Sequence, residues 1–190
     1  VWYRAGGDIP NPRWIAKYTQ ETDVTNRFFN SSSFTYDFNE KISLAYKVGY
    51  DTYTQRQNRM YNSGIGVSYN VINRGVMQSQ SLTNTIWNHD MIATINTSLT
   101  SDINMLGRVG VNARYDESFR DGIYSENQVV RGLFRHSNFQ TSSSRSVAFD
   151  GRVFNRTTQQ QRYGVYADFS FDYKDWLFVN LSGRNDWNST

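Results

Sequence analysis

Between residues 163 and 173 apolar and polar side chains alternate without a break. Tyr163, Val165, Ala167, Phe169, Phe171 and Tyr173 take the odd positions, and Gly164, Tyr166, Asp168, Ser170 and Asp172 the even ones. A period of two predicts a strand with one apolar face. Lys174 and Asp175 can form a two-residue turn, after which Leu177, Val179, Leu181 and Gly183 alternate against Phe178, Asn180, Ser182 and Arg184. The pair reads as an antiparallel hairpin. Ten residues of strand extend about 33 Å, and a tilt of roughly 40° brings that to about 25 Å of height, the apolar band of an outer-membrane barrel. Tyrosines stand at both ends of the band, and Asp168 and Asp172 keep to the other face. A hairpin of a soluble sandwich, its apolar face against a second sheet, has the same pattern.

Earlier segments repeat it. Ile42, Leu44, Tyr46, Val48 and Tyr50 alternate with Ser43, Ala45, Lys47, Gly49 and Asp51. Ile103, Met105, Gly107, Val109, Val111, Ala113 and Tyr115 oppose a second set in which only Leu106 breaks the polarity. Phe34, Tyr36 and Phe38, and more weakly Met91, Ala93, Ile95, Thr97 and Leu99, mark partner strands. Residues 1–27, which include Gly6, Gly7, Pro10 and Pro12, read as loop, 28–51, 86–116 and 162–190 as hairpins, and 52–85 and 117–161 as long outer loops. A short strand-like run, Ile65, Val67 and Tyr69, interrupts the first of these loops. Tight turns are expected at Asn39 to Glu40, Thr100 to Asp102 and Lys174 to Asp175. Short turns at one end and long loops at the other is the asymmetry of membrane barrels, which a sandwich has no reason to adopt. The fold class expected is therefore all-β, an antiparallel transmembrane barrel segment of about six strands. Ile42, Tyr46, Val109, Val111, Phe169 and Leu181 are predicted to face lipid. Six strands are too few to close such a barrel. The chain opens on Val1 without a signal-peptide pattern and stops just after a strand, so a piece of a longer protein is expected.

Composition sharpens this picture. Of 190 residues, 19 are Asn, 10 Gln, 20 Ser and 15 Thr, with 4 Lys and 2 Pro. So polar a chain could be disordered, but 16% aromatic content argues for a packed or membrane-facing structure. No run of 18 apolar residues offers a helical span. The absence of cysteine removes disulfides and thiolate metal sites, and a net charge of +3 spread along the chain gives no nucleic-acid footprint.

No catalytic constellation is visible, so an enzyme is not expected. His89 and His136 stand outside any metal-spaced cluster and read as ordinary surface or loop histidines. Gly64, Ile65 and Gly66 lack the helix a phosphate cradle needs, and no cofactor motif is present. The one binding signal is aromatic residues among Arg, Asn and Gln in the long loops: Tyr53, Tyr61, Phe119, Tyr124, Phe134, Phe139 and Phe154. Such a mixture stacks on sugar faces or grips peptides, though packing of the loops explains each ring equally well. Arg108 and Arg114 lie on the polar face of their strand. Arg114, Phe119, Tyr124, Phe134 and Arg135 are the expected ligand contacts at a channel mouth.

The run from Tyr173 to Thr190, YKDWLFVNLSGRNDWNST, resembles the SusC/RagA type of TonB-dependent outer-membrane transporter, common in Bacteroidetes. The resemblance rests on Gly183, Arg184, Asn185, Asp186 and Trp187, with Asn188 where that family usually has Ser. Asn11, Pro12, Arg13 and Trp14, then Arg27 and Phe28, then Asn88, His89 and Asp90, are similar to family motifs in the same order, as are residues 129–138, where Arg131 stands at a common Pro. The resemblance implies a 22-stranded barrel around a plug, energised through the TonB complex. It also implies a SusD-like lipoprotein lid, a glycan or peptide ligand, and a setting in outer-membrane lipid. A solitary receptor for a metal chelate and a soluble β-rich glycan-binding or adhesin module are the alternatives.

Overall fold

A computed structural model describes residues 12–64, 74–144 and 154–189. It is an all-β, antiparallel, barrel-like segment. One helix, α1 (Pro12–Tyr18), opens with proline at its first position, where the missing N–H costs nothing. The strands are β1 (Thr19–Asn39), β2 (Ile42–Tyr61), β3 (Val76–Ser98), β4 (Ile103–Gln128), β5 (Phe139–Ser143), β6 (Arg156–Tyr173) and β7 (Leu177–Ser189). They form one sheet in the order β1-β2-β3-β4-β6-β7, with β5 paired to β4 beyond Ile123. Asn11 and the run Ile65, Val67 and Tyr69 lie outside the described residues.

The strands are longer than alternation predicts. β2 runs on to Tyr61 and β3 begins at Val76, while β4 continues to Gln128 and β6 begins at Arg156. Much of the segments 52–85 and 117–161, read as loops, is thus strand, and residues 19–27 are strand as well. In these extensions polar side chains pair across strands. Thr52 Oγ1 lies 3.2 Å from Thr85 Oγ1 and Thr54 Oγ1 3.3 Å from Thr83 Oγ1. Gln55 and Gln57 both donate to Asp23 Oδ2, at 2.7 and 2.8 Å. A ladder held by such pairs needs no apolar face, so it leaves no period-two hydrophobic signal.

By its internal contacts the chain divides into two units. Unit 1 comprises Val1–Asn26, Tyr53–Thr83 and Ser118–Thr157, and unit 2 comprises Arg27–Thr52, Asn84–Glu117 and Thr158–Thr190.

Unit 2 contains the three tight turns. At the first, Asn39 Oδ1 accepts from the backbone N–H groups of Lys41 and Ile42, both at 2.9 Å. At the second, Leu99 N donates to Ile103 O at 2.9 Å. The third is a correction: Tyr173 pairs with Leu177, so three residues turn the chain rather than two. Lys174 and Asp175 both take left-handed backbone angles, φ 51° and 59°, and Trp176 N closes onto Tyr173 O at 3.2 Å. The Lys174 N–H also donates to Asp102 O, and Asn96 N to Lys41 O, so all three turns gather at one end of the unit.

One face of unit 2 is apolar and open. Of the six residues expected to face lipid, Ile42, Val109, Val111 and Leu181 are exposed, Leu181 at 59%. Tyr46 and Phe169 share that face and are half-buried: Tyr46 is tied to His89, and the Phe169 ring lies against Gly107, where an added Cβ would come within 3.0 Å of it. Among the described residues the buried apolar side chains, Val76, Phe139 and Phe154, all belong to unit 1. Unit 2 is a single layer whose large apolar side chains meet no second sheet.

Candidate functional site: a charged wall and a pinned arm

On the other face of unit 2 the even-numbered side chains of β4, β6 and β7 converge. Arg114 grips Asp116 with Nε and Nη2, at 2.9 and 2.8 Å. Arg162 Nη2 reaches the same carboxylate at 3.3 Å and Gln160 Oε1 at 3.1 Å. Arg184 Nε donates to Asp186 at 2.9 and 2.8 Å, and the Arg184 guanidinium lies 5.7 Å from the Tyr166 ring centre. The β6–β7 register, which pairs Tyr166 with Arg184, places that stack. Gly110 makes room for it, because any Cβ there would overlap the Tyr166 ring. Asn112 Nδ2 donates to Asp90 Oδ1 at 2.7 Å, and Asn88 Nδ2 to Asp90 Oδ2 at 2.8 Å.

Asn88, Asn112, Arg114, Gln160, Arg162, Arg184 and Asp186 line a cleft of about 580 Å³. Its three guanidinium groups are held by the carboxylates of Asp116 and Asp186, and Asp90 beside them accepts from two amides. No nucleophile is set beside a base. Paired charges of both signs, with amides between them, offer donors and acceptors in equal measure to a ligand carrying both.

Unit 1 has a polar wall of its own. Tyr61 Oη donates to Glu21 Oε1 at 2.9 Å, and burial together with that carboxylate pushes the phenol up to about 12. Arg59 Nε stands 3.8 Å from Glu21, and Gln80 donates to Gln57.

Beyond β4 the chain forms a pinned arm. Asn138, 7% exposed, accepts from Val130 N at 3.1 Å and donates through Nδ2 to Val130 O at 2.7 Å and Leu133 O at 2.8 Å. Asn62 Oδ1 accepts from Gly132 N at 2.7 Å and from Gln128 Nε2 at 3.3 Å. The arm thereby presents Val129, Val130, Leu133 and Arg135 outward.

His136 opens a 3₁₀ turn (His136–Asn138) under this arm. Its Nδ1 lies 2.8 Å from Ser125 Oγ and its Nε2 3.0 Å from Ser79 Oγ, while Ser125 Oγ is 2.6 Å from Ser142 Oγ. Hydroxyls serve either tautomer, so the neutral ring is satisfied, and burial holds its pKa below the usual 6.5. The unfolded chain then binds the proton more readily, so this contribution to stability is full above 6.5 and is lost as the pH falls below it. Amide exchange across 136–143, corrected for intrinsic rates, should therefore quicken between about pH 7 and pH 5. His136→Gln should flatten that dependence, and an unchanged slope would show that another group titrates.

The expected contact residues divide between the units. Arg114 lies in the unit 2 cleft. Phe119, 43% exposed, and half-buried Tyr124 are on the unit 1 part of β4, with half-buried Phe134 and exposed Arg135 on the pinned arm. Of the other loop aromatics, Phe139 and Phe154 are core, with Phe154 packed on Gly122. Sequence reasoning missed Arg162 and Arg184 as members of the wall. The signal for Arg184 was the repeat Arg-x-Asp, seen at both Arg114 and Arg184.

No protein-family model matches the sequence, and the search of curated proteins found no match. Solved structures do match. The structure of the RagAB peptide transporter superimposes with a TM-score of 0.81 at 16% identity, covering 99% of this chain and 20% of that one. The RagAB peptide importer in its open-open state gives 0.80 at 16% identity, over 100% and 20%. Its closed-closed state gives 0.78 at 15% identity, over 93% and 19%. The chain spans about a fifth of the length of those proteins, and at this identity the likeness establishes the fold.

Proposed function

We propose that this chain is a segment of the wall of an outer-membrane barrel that imports peptides or oligosaccharides, driven through a TonB complex and working with a SusD-like lipoprotein. The observation that carries the reading is the segregation of unit 2, whose uncovered apolar face lies opposite a wall of paired charges. In a bilayer the first face meets lipid and the second lines an aqueous lumen, whereas in water a patch of that kind is left exposed. Superposition on a peptide transporter over nearly the whole chain supports the same reading. β1 and β7 stand at the two edges of the sheet, and because lipid offers no partner to an open edge, further strands close the barrel on both sides.

Ligand contact falls to Arg114 in the cleft and to Phe119, Tyr124, Phe134 and Arg135 in unit 1. Guanidinium forks there hold carboxylates or hydroxyls, and the rings stack. The test is uptake of a labelled peptide and of a labelled oligosaccharide by cells carrying the full-length protein, with Phe119, Tyr124 and Phe134 changed together to Ala. A fall of tenfold or more in uptake of one ligand class, with the barrel assembled, identifies the class. Unchanged binding and uptake would reduce these rings to packing.

A further inference from the structure

The apolar face of unit 2 contains a concavity, and its walls are braced. Tyr46 on β2 and His89 on β3 form one wall, with Tyr46 Oη 2.7 Å from His89 Nδ1 and the two rings stacked at 6.1 Å. Trp87 lies parallel to His89, 7° between planes, and Tyr50 packs on Trp87 at 4.4 Å. Across the groove stand Tyr163 and Val165 of β6, and Val111 and Ala113 of β4 complete the lining around about 360 Å³. Tyr163 is anchored by its own bond to Gln161 Oε1 at 3.1 Å. Neither Lys nor Arg lines the groove.

His89 lies ten positions along β3 from Leu99 at the turn. That is about 33 Å of strand, or about 25 Å of height at the usual tilt. The groove therefore sits at the boundary of the apolar band opposite the three turns, within the aromatic belt. Elsewhere on this face side chains such as Leu181 project outward, and lipid chains can only slide past them.

We propose that this groove is a preferential binding site for one fatty-acyl chain of a membrane lipid, with the chain lying along Val111 and Ala113 between the Tyr46–His89 wall and Tyr163. The proposal rests on the barrel reading above. Four observations favour this occupant over a protein partner or a lipid phosphate. Apart from Asn112 the lining is hydrocarbon and aromatic. Its walls are already held in place, so seating a chain freezes few side chains. It lies at the depth where acyl chains meet their linkages, and the Tyr46–His89 pair and the Tyr163 hydroxyl supply polar atoms for that linkage. Without a cation in the lining, recognition follows the chain and is indifferent to the headgroup charge.

The experiment is native mass spectrometry of the full-length protein, refolded from denaturant in detergent and titrated with phosphatidylethanolamine, and in a second arm with phosphatidylglycerol of the same chains. Wild type should retain one lipid per barrel, with equal affinity in both arms. Ala113→Phe, which fills the groove, should lower that retention at least fivefold, and Val165→Trp should do the same from the opposite wall. Leu181→Phe, on the same face outside the groove, should leave it unchanged. Equal retention by the groove-filling variants, or binding that follows the headgroup, would overturn the proposal. The barrel reading fails in a different way, if the refolded wild type stays soluble and folded once detergent is removed.

Discussion

Val109→Arg should strongly destabilise the full-length barrel, while Arg108→Ala, one residue earlier, should leave its stability nearly unchanged. Both residues are solvent-exposed on β4, but they point to opposite faces. Val109 is 46% exposed on the uncovered apolar face, in the middle of the unit 2 part of its strand. An arginine facing lipid near the midplane costs about 2 to 4 kcal/mol, which is about a 30-fold to 900-fold change in the folding equilibrium. Arg108 faces the polar side, and losing it should move stability by about 0.5 kcal/mol or less. Refolding into lipid vesicles across a urea series, read by the change in gel mobility on heating, measures both variants. If Val109→Arg matches wild type, the apolar face does not meet lipid, and a soluble, sheet-covered fold becomes the better account.

Asn138→Asp should unfasten the arm that follows β4. The exchange is nearly isosteric, yet it replaces the amide that donates to Val130 O and Leu133 O with an oxygen that repels both. Asn138 is 7% exposed, so the new charge is also poorly solvated. A carbonyl that loses its donor costs up to about 1 to 3 kcal/mol where it is shielded from water, Leu133 O keeps a longer bond from Gln128 Nε2 at 3.5 Å, and burial of the carboxylate adds to the cost. A local destabilisation on the order of 3 kcal/mol or more follows. Limited proteolysis should then cut within 129–135, and exchange protection there should fall at least a hundredfold, while the hairpins of unit 2 keep theirs. Asn138→Ala loses the same bonds without adding charge and should fall between the two. Since Phe134 and Arg135 ride on this arm, ligand affinity should decline in the same order. An arm equally protected in all three proteins would mean that Asn62, which accepts from Gly132 N, is sufficient to hold it.

What could be read from the sequence followed the physics of each unit. Unit 2 announces itself because one of its faces is apolar, so alternation marks its strands and its turns within a residue or two. The unit 1 strands are ladders of Thr, Gln and Asp23 pairs, and a period defined by hydrophobicity passes over them as loop. His89 is polar by type but stands at an odd position of β3 between Trp87 and Met91, on the apolar face; its partner Tyr46 lies 43 residues away and only strand pairing brings it near. Phe139 and Phe154 show the reverse error, being loop aromatics by sequence and core by structure. Within the charged wall, Arg114 was legible from its own strand. Arg162 required knowing that β6 lies beside β4, and Arg184 that β7 pairs with β6 in the register Tyr166 to Arg184.

The spacing of the charges on that wall bears on the order in which such a barrel can be built. Arg114 with Asp116, Arg184 with Asp186, and Asn88 with Asp90 are neighbours two residues apart on the same side of one strand. Such a pair forms as soon as its strand is extended, before any neighbouring strand has arrived. Had the counter-ion of each arginine come only from the next strand, a hairpin entering the bilayer would carry an isolated charge until its neighbour docked, and a lone charge in a low-dielectric setting is costly. Here the strands of Arg114 and Arg184 each bring their own counter-ion, whereas Arg162 meets Asp116 only across strands. Two of the wall's three arginines can therefore enter the bilayer already paired, and Arg162 alone of the three waits for another strand to supply its carboxylate.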